Sequence, residues 1–586
     1  MDDYKRSLDH PGQYWKEQAL NFLSWSKPFS KTFEGSFSEG KTKWFVDGEL
    51  NACYNAIDRH VAERGNEVAM IWEGDEPGDT KKFTFSEMQR EISKIANVML
   101  SKGVKKGDVV TVYMPMIPEL PMAMLACARI GAVHSVVFAG FSSEALKDRI
   151  LDCNSKFVFV ADEGKREGKR IKLKESVDAA LKGAPNVQAV FVFKRTGAQV
   201  AMANNRDYFM DDLLKTTSPN CSVVPMRSDD PLFILYTSGS TGKPKGILHT
   251  TAGYLTYASM TARNTFDMRK GDVFCCVADC GWITGHSYIV YGPLINGVTT
   301  VLFESVPTYP DPYRYWDLVQ RVKATQFYTA PTALRALMKF DAKDIAKYDL
   351  SSLRILGSVG EPINPEAWEW YFTNIGKEKC TVVDTYWQTE TGGHIATNLP
   401  GAIPMKPGSC GYPYYGIDFA VLDPTSGKEL LDNNVEGVLA IKKPWPGMAA
   451  TVYGDHDRFL NTYLKPYPSF YFTGDSCRRD GEGSYFITGR VDDVINSSGH
   501  RIGTAELEAA INSVEEVSES AVVGFPHDIK GEGIGCFVIL KDGFQPSEKL
   551  TQLLKNVVRT AIGPIATPDF IVYTDLPKVS LLKLMC

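Results

Sequence analysis

Tyr236-Thr-Ser-Gly-Ser-Thr-Gly-Lys-Pro-Lys-Gly246 directly follows a short apolar run, Pro231-Leu-Phe-Ile-Leu235. The apolar run predicts a buried strand, and the Gly/Ser-rich stretch after it predicts a loop full of hydroxyl and amide donors. Gly239 and Gly242 free the backbone to close around phosphate oxygens, and Lys243 and Lys245 add charge. Thr237, Ser238, Ser240 and Thr241 supply further donors. A Walker A loop needs four residues between its first Gly and its Gly-Lys, then Ser or Thr. Here only two residues separate Gly239 from Gly242, and Pro244 follows Lys243. The plain alternative is a Gly/Ser surface turn with solvated lysines.

The 586 residues, 44% of them hydrophobic, can fill large cores and more than one domain. A net charge of −6 and the absence of a long basic run argue against a nucleic-acid surface. The most apolar long segment, Pro121–Phe141, is broken by Arg129 and His134, so no membrane span is expected. The start, Met1-Asp-Asp-Tyr-Lys-Arg-Ser-Leu8, has neither a signal-peptide core nor an Arg-rich transit pattern. Twelve cysteines lack paired spacing, and the Cys275, Cys276, Cys280 cluster has no partner to complete a zinc site. Small, half-buried thiols in a reducing compartment are expected. A soluble cytoplasmic chain follows, with a nuclear pool left open.

From about residue 80 the pattern alternates: helix over 85–102, strand over 109–113, helix over 118–130, strand over 134–138, helix over 142–153, strands over 157–161 and 189–193. Such alternation predicts α/β architecture, with parallel sheets covered on both faces. Residues 165–170, Lys-Arg-Glu-Gly-Lys-Arg, read as a short basic loop. Gly489-Arg-Val-Asp-Asp-Val-Ile-Asn-Ser-Ser-Gly-His-Arg501 marks a boundary. Beyond it, helices over 504–513 and 550–562 and strands near 520–524 and 535–540 predict a small α+β domain.

Four more stretches carry chemistry. Asp279-Cys-Gly-Trp-Ile-Thr-Gly-His-Ser287 mixes bulky apolar residues with Thr284 and His286, the latter a structural donor on the plain reading. Leu356-Gly-Ser-Val-Gly-Glu-Pro362 is a strand breaking into a turn. In Asp384-Thr-Tyr-Trp-Gln-Thr-Glu-Thr-Gly-Gly393, Tyr386 can stack on a purine. There Thr389 and Glu390 offer the oxygen ligands that Mg²⁺ prefers. Tyr471-Phe-Thr-Gly-Asp475 sets one carboxylate after a tight turn.

Residues 236–246 resemble the phosphate-binding signature of the adenylate-forming enzymes, which activate carboxylates with ATP. The continuation Ile247-Leu-His-Thr-Thr-Ala-Gly-Tyr254 narrows the resemblance to acetyl-CoA synthetases, as does the leader-like stretch Trp44-Phe-Val-Asp-Gly-Glu-Leu-Asn51. The resemblance runs over roughly residues 10–578. It implies a leader over 1–78 acting as a clamp, a multi-subdomain adenylation region over 79–490 and a small mobile domain over 491–586 hinged at Asp492. Gly360, Glu361 and Pro362 would pack on adenine, with Asp384, Thr385, Tyr386, Trp387, Gln388 and Thr389 completing the nucleotide pocket. Asp475 would take the ribose hydroxyls, Arg490 the ribose or α-phosphate, and Arg501 the phosphates. Glu390 would bear Mg²⁺. Ile283, Thr284, Val359 and Trp387 would line the acyl pocket. Ile283 replaces the family's Val and shrinks the pocket, and Trp387 leaves room for about two to three carbons. Arg166, Lys169, Thr284, Thr308, Ser498 and Arg559 would meet CoA. Lys169 stands where the family has Arg and lacks its bidentate fork. Thr308 replaces a common Asn.

The resemblance fails at Leu576-Pro-Lys-Val-Ser-Leu-Leu-Lys-Leu-Met-Cys586. Family members continue after Leu-Pro-Lys with Thr-Arg-Ser-Gly-Lys, whose last lysine polarises the carboxylate and α-phosphate. Lys583 keeps that register, but Leu582 replaces the glycine and the surrounding basic residues are gone. The stretch after Lys578 reads as an alternative terminus, which transcript and genomic sequence compared at this codon would test. The expected activity is conversion of acetate, ATP and CoA to acetyl-CoA, AMP and pyrophosphate, by a monomer or weak homo-oligomer. A propionate-preferring synthetase, an enzyme that loads a carrier protein, and a form impaired in adenylation that mainly binds nucleotide and CoA are the alternatives.

Overall fold

The structure, a computed structural model, describes residues 2–237, 244–491, 494–497, 500–527, 531–541, 543–562 and 566–574. Two large sheets organise the chain up to about residue 450. The first has eight strands in the spatial order Asp207–Phe209, Ala189–Phe193, Phe157–Ala161, Val109–Tyr113, Val133–Val136, Pro231–Thr237, Lys245–Thr250, Thr451–Val452. Its first six strands pair in parallel, and Lys245–Thr250 then returns antiparallel against Pro231–Thr237. The second sheet runs Thr381–Asp384, Ile355–Ser358, Gln326–Thr329, Val273–Cys276, Thr299–Phe303, Val68–Glu73, Thr80–Thr84, parallel except for its terminal hairpin. Strands such as Phe157–Ala161 and Ala189–Phe193 are buried at every position. This is why they read as unbroken apolar runs: a parallel sheet is covered on both faces.

Local signals set the helices between these strands. Thr84 and Glu87 close a reciprocal capping box at the start of Phe85–Ser101. Glu119–Ile130, with Pro118 at its N-cap, is buried from Leu120 onward and ends at Gly131, whose φ of +77° is the left-handed cap that glycine adopts without strain. A third sheet is antiparallel: Phe419–Leu422, Val435–Ile441, Tyr471–Arg479, Tyr485–Arg490. A fourth, formed by His500–Gly503, Val494–Ser497, Gly531–Leu540, Val517–His527 and Phe570–Tyr573, packs with helices Thr504–Asn512 and Glu548–Ala561. It has its own apolar core, including Leu507, Ile511, Ile534, Cys536, Leu554 and Val558. This is the small α+β unit expected from the sequence.

Two expectations are corrected. Residues 165–170 are not a loop: Gly164–Arg166 and Lys169–Ile171 form a two-stranded hairpin turned by Glu167 and Gly168, both at positive φ. A run of cations looks like solvated surface because nothing local announces a strand. The thiols are more enclosed than half-buried: Cys53, Cys275, Cys276 and Cys280 are fully buried, and burial pushes the Cys276 thiol up to about 12. Among the described residues no helix is long and apolar enough to cross a membrane.

The N-terminal segment is stitched to the body. Helix Pro11–Phe22 packs on helix Thr251–Thr265, and Trp15 lies 5.9 Å from the Tyr257 ring and 6.1 Å from Trp44. Tyr4 donates to the Ile417 carbonyl at 2.9 Å, and Gly416 N–H donates to Ser7 Oγ at 2.7 Å. Gly416 sits at φ +75°, and a Cβ there would lie 2.4 Å from Trp15 Cζ2. Gly401 has a similar φ of +71° but open space around it. Gly416→Ala is therefore expected to cost about 1–3 kcal/mol more than Gly401→Ala, from overpacking on top of the shared backbone strain. Thermal melts of the two variants check this, with proteolysis within the first 25 residues rising only in Gly416→Ala.

Candidate active site

The third sheet builds one half of the site. Asp475 on strand Tyr471–Arg479 lies directly opposite Arg490 on strand Tyr485–Arg490, their charged groups 3.8 Å apart. The Asp475 carboxylate is only 6% exposed. Its Oδ2 accepts from the Tyr386 hydroxyl and from Gln388 Nε2, both at 2.6 Å. Gln388 Nε2 also donates to the Thr473 carbonyl at 2.7 Å. Neutral donors thus fix the orientation of this carboxylate beside a half-exposed guanidinium.

The second sheet delivers the other half from its strand ends. Asp384 closes strand Thr381–Asp384, and residues 385–393 leave it as the motif loop. The Thr385 hydroxyl is spent inside the fold, donating to the Ser358 carbonyl at 2.7 Å and meeting Tyr328 Oη at 2.6 Å. Glu361 is likewise tied down: its Oε1 accepts from Thr332 N–H at 2.7 Å and its Oε2 from Arg335 at 2.8 Å. Gly360, at φ +99°, and Pro362 are exposed beside it. Trp387 is half-buried, with its Nε1 donating to Tyr328 Oη at 3.3 Å and its ring edge-on to Tyr288 at 4.9 Å. Behind it, Tyr328 also meets His394 Nε2 at 3.1 Å, and Tyr288 stacks on His394 at 4.2 Å. This polar network holds the indole in one orientation. Ile283 and Val359 are buried in the same apolar core that Trp387 packs against, and Thr284 is half-exposed.

All three sheets meet at Glu390. Its Oε1 accepts a short hydrogen bond from the Tyr463 hydroxyl, and Lys245 Nζ stands 3.6 Å from the same oxygen. Lys245 donates to Tyr463 Oη at 2.7 Å. Lys245 is thus a buried residue of strand Lys245–Thr250, not the solvated loop cation its motif suggests. Burial lowers its pKa, and Glu390 opposes that shift. Glu390 Oε2 has no partner among the described residues. His249, two strand positions from Ile247, donates from Nε2 to the Thr389 carbonyl at 2.7 Å, and burial holds it neutral with a pKa lowered to about 4. Neither Tyr463 nor His249 stands out as a site residue in the sequence. Tyr463 lies in no motif, while His249 sits within the stretch after the Gly/Ser loop.

The basic hairpin forms a separate patch. Arg166 and Lys169 are exposed and directly opposite each other. Exposed Thr308 precedes Tyr309, whose hydroxyl would lie 2.8 Å from a Cβ at Gly168. Burial raises the Asp279 carboxyl to about 6, with Arg166 pulling the other way, so the hairpin is electrically coupled to the stretch that carries Thr284. Arg559 is exposed in the last turn of helix Glu548–Ala561. Ser238, Gly239, Ser240, Thr241, Gly242, Lys243, Asp492, Ser498 and Lys583 lie outside the described residues. Arg501 is described only as a strand position opposite Asn496.

Asp384 gives the site a pH signature. Burial alone pushes its carboxyl up to about 8, and its carboxyl meets no partner among the described residues. The folded protein therefore keeps a proton that the unfolded chain releases near pH 4. Stability contributed by that proton is full below about pH 4 and is lost as pH rises to about 8. Asp384→Asn is expected to match the parent in melting temperature at pH 4 and exceed it at pH 8, a gain on the order of a few kcal/mol. An equal offset at both pH values would contradict the assignment.

Comparison with known families agrees with this geometry. A profile described as AMP-binding enzyme matches residues 57–453. One described as acetyl-coenzyme A synthetase N-terminus matches residues 1–56, and one described as AMP-binding enzyme C-terminal domain matches residues 506–583. Acetyl-coenzyme A synthetase of Syntrophobacter fumaroxidans is 54% identical, over 99% of this chain and 89% of its own. That of Rhodobacter capsulatus is 54% identical, over 100% and 90%. Among solved structures, acetoacetyl-CoA synthetase from Streptomyces lividans superposes with a TM-score of 0.88 at 26% identity, over 97% of this chain and 86% of that one. The three sheets that meet at Glu390 and the separate α+β unit are the adenylate-forming fold, and the chain belongs to the acetyl-coenzyme A synthetase family of AMP-binding enzymes.

Proposed function

We propose that the chain activates acetate with ATP and passes the acetyl group to CoA in two half-reactions. In the first, an acetate oxygen attacks the α-phosphorus, the bond to the bridging oxygen breaks, and acetyl-AMP and pyrophosphate form. In the second, the CoA sulfur attacks the acetyl carbonyl, the mixed anhydride opens, AMP leaves, and the thiol proton passes to solvent. The observation that carries this reading is the convergence of two acidic sites within one family fold. Asp475 is aimed by Tyr386 and Gln388 where ribose hydroxyls could donate, and Glu390 is clamped by Tyr463 and Lys245.

Each part has a physical task. Asp475 accepts the ribose hydroxyls and Arg490 neutralises phosphate charge from the facing strand. Gly360 and Pro362 present a flat exposed edge to the adenine, and the unpartnered carboxyl of Asp384 is a fit for its amino group. Glu390 Oε2 has no partner among the described residues, and a hard carboxylate beside substrate phosphates is the donor set that suits Mg²⁺. Bound there, the ion would neutralise phosphate charge during adenylation. Lys243 and Arg501 would add to that charge, and Lys583 would reach the carboxylate. Arg166, Lys169, Thr308, Ser498 and Arg559 would hold CoA, with the small domain turning about Asp492 between the two steps. The compartment that suits a chain of this composition is the cytoplasm; nothing in the described residues supports a nuclear pool.

The acyl specificity follows from Trp387 and Ile283. An indole fixed by Tyr328 and Tyr288 leaves space for a short acid. Trp387→Gly should move preference from acetate toward longer acids by about 1 kcal/mol or more per methylene, read from kcat/KM over a chain-length series. An unchanged series would remove Trp387 from the pocket. The activity itself is tested by acetate-dependent exchange of labelled pyrophosphate into ATP, run beside thioester formation from supplied acetyl-AMP and CoA. Both steps proceeding supports the full ligase. Thioester formation without exchange marks the form impaired in adenylation, and silence in both overturns the reading.

A further inference from the structure

The basic hairpin is built against its own electrostatics. Its register sets Lys165 opposite Arg170 and Arg166 opposite Lys169, two like-charged cross-strand pairs on strands of three residues each. Like charges directly opposite destabilise a ladder, and a lone two-stranded hairpin is marginal even without them. Arg170 does reach Glu163, but that ion pair is long at 3.5 Å and exposed on the arginine side. Something outside the hairpin must hold it.

That anchor is Asp75, fully buried just after strand Val68–Glu73 of the second sheet. Its Oδ1 accepts the Glu167 N–H at 3.0 Å and its Oδ2 the Gly168 N–H at 2.8 Å, so one carboxylate grips both turn residues. Ser305 Oγ donates to Oδ1 at 2.7 Å and fixes the carboxylate in turn. Next along the chain, Glu76 accepts from the Tyr309 hydroxyl at 2.8 Å. Tyr309 closes over Gly168, at φ +72°, its hydroxyl 2.8 Å from where a Cβ would stand. The turn is thus seized from below by a carboxylate and covered by a phenol, while Arg166 and Lys169 stay exposed.

We propose that Asp75 is a positioning residue for CoA: it holds the hairpin turn so that Arg166 and Lys169 stand side by side to receive the phosphates at the nucleotide end of the cofactor. This rests on the functional reading above. The like-charge pairs weaken the free hairpin and are relieved when an oligophosphate spans them. The Asp75 carboxylate is spent on the hairpin turn and on Ser305, so its effect is expected in the second half-reaction.

The test compares Asp75→Asn and Ser305→Ala with the parent chain in three readings: pyrophosphate exchange, thioester formation from acetyl-AMP against CoA concentration, and amide deuterium exchange of the peptide spanning residues 164–171. Asp75→Asn should raise the CoA KM about tenfold with kcat and pyrophosphate exchange within about twofold, as a displaced binding group does. Its hairpin amides should exchange faster. Ser305→Ala should shift the same quantities in the same direction by about two- to threefold. Pyrophosphate exchange and thioester formation falling together would make Asp75 merely structural. An unchanged CoA KM, or unchanged hairpin amides, would overturn the assignment. A parent that forms no thioester from acetyl-AMP and CoA overturns the functional reading instead.

Discussion

Lys245, Tyr463 and Glu390 form the joint on which the adenylation region depends. Lys245 comes from the first sheet, Glu390 from the loop after the last-threaded strand of the second, and Tyr463 from the short helical segment Leu460–Leu464 that precedes strand Tyr471–Arg479 of the third. Both charged side chains are only about a tenth exposed. Burying two charges costs several kcal/mol per ion, and a good pair only partly offsets it. Here the Tyr463 hydroxyl joins the pair, accepting from one partner and donating to the other. Its ring is held parallel to Tyr471 at 5.5 Å, and Lys245 lies 4.9 Å above it. A joint of this kind adds little to stability alone. It makes sense as a way of fixing one carboxylate at the meeting point of three sheets, one of its oxygens having no partner among the described residues.

From that joint the two halves of the site divide their work. Asp475 is held by the neutral donors Tyr386 and Gln388 and faces the Arg490 guanidinium, whereas Glu390 is met by Lys245 and Tyr463 on one oxygen, with no partner on the other among the described residues. The Trp387 indole, the proposed acyl wall, is made rigid by a third device, the Tyr328–His394–Tyr288 network behind it. His394 and His249 are both held neutral by burial. Those two imidazoles therefore keep their charge state near neutral pH, and the groups that titrate closer to neutrality are Asp384 and Asp279.

Much of the fold is legible in the sequence, because its signals are local. Val109–Tyr113, Phe157–Ala161 and Ala189–Phe193 fall where the apolar runs place them, since a doubly covered strand has no polar face to blur it. The Thr84–Glu87 box and the glycine after Ile130 set helix ends in the same local way. The illegible part is long-range. Tyr463 meets Glu390 across 73 residues, and Asp75 meets the hairpin turn across 92 and 93. A tyrosine or an aspartate carries no mark of such a partner. The hairpin itself reads as a loop because like charges opposite one another are what a strand normally avoids. Lys245 reads as a loop cation because the motif around it is glycine-rich, although its burial depends on a carboxylate far along the chain, on Glu390.

The central claim is that the Lys245–Tyr463–Glu390 joint serves adenylation and not the fold in general. Tyr463→Phe tests it most directly, because the ring and its stack on Tyr471 remain and only the hydroxyl goes. Acetate-dependent pyrophosphate exchange should fall by roughly ten- to a hundredfold, while thioester formation from supplied acetyl-AMP stays within about threefold of the parent. Exchange at the parent's rate, or equal losses in both half-reactions, would contradict the account.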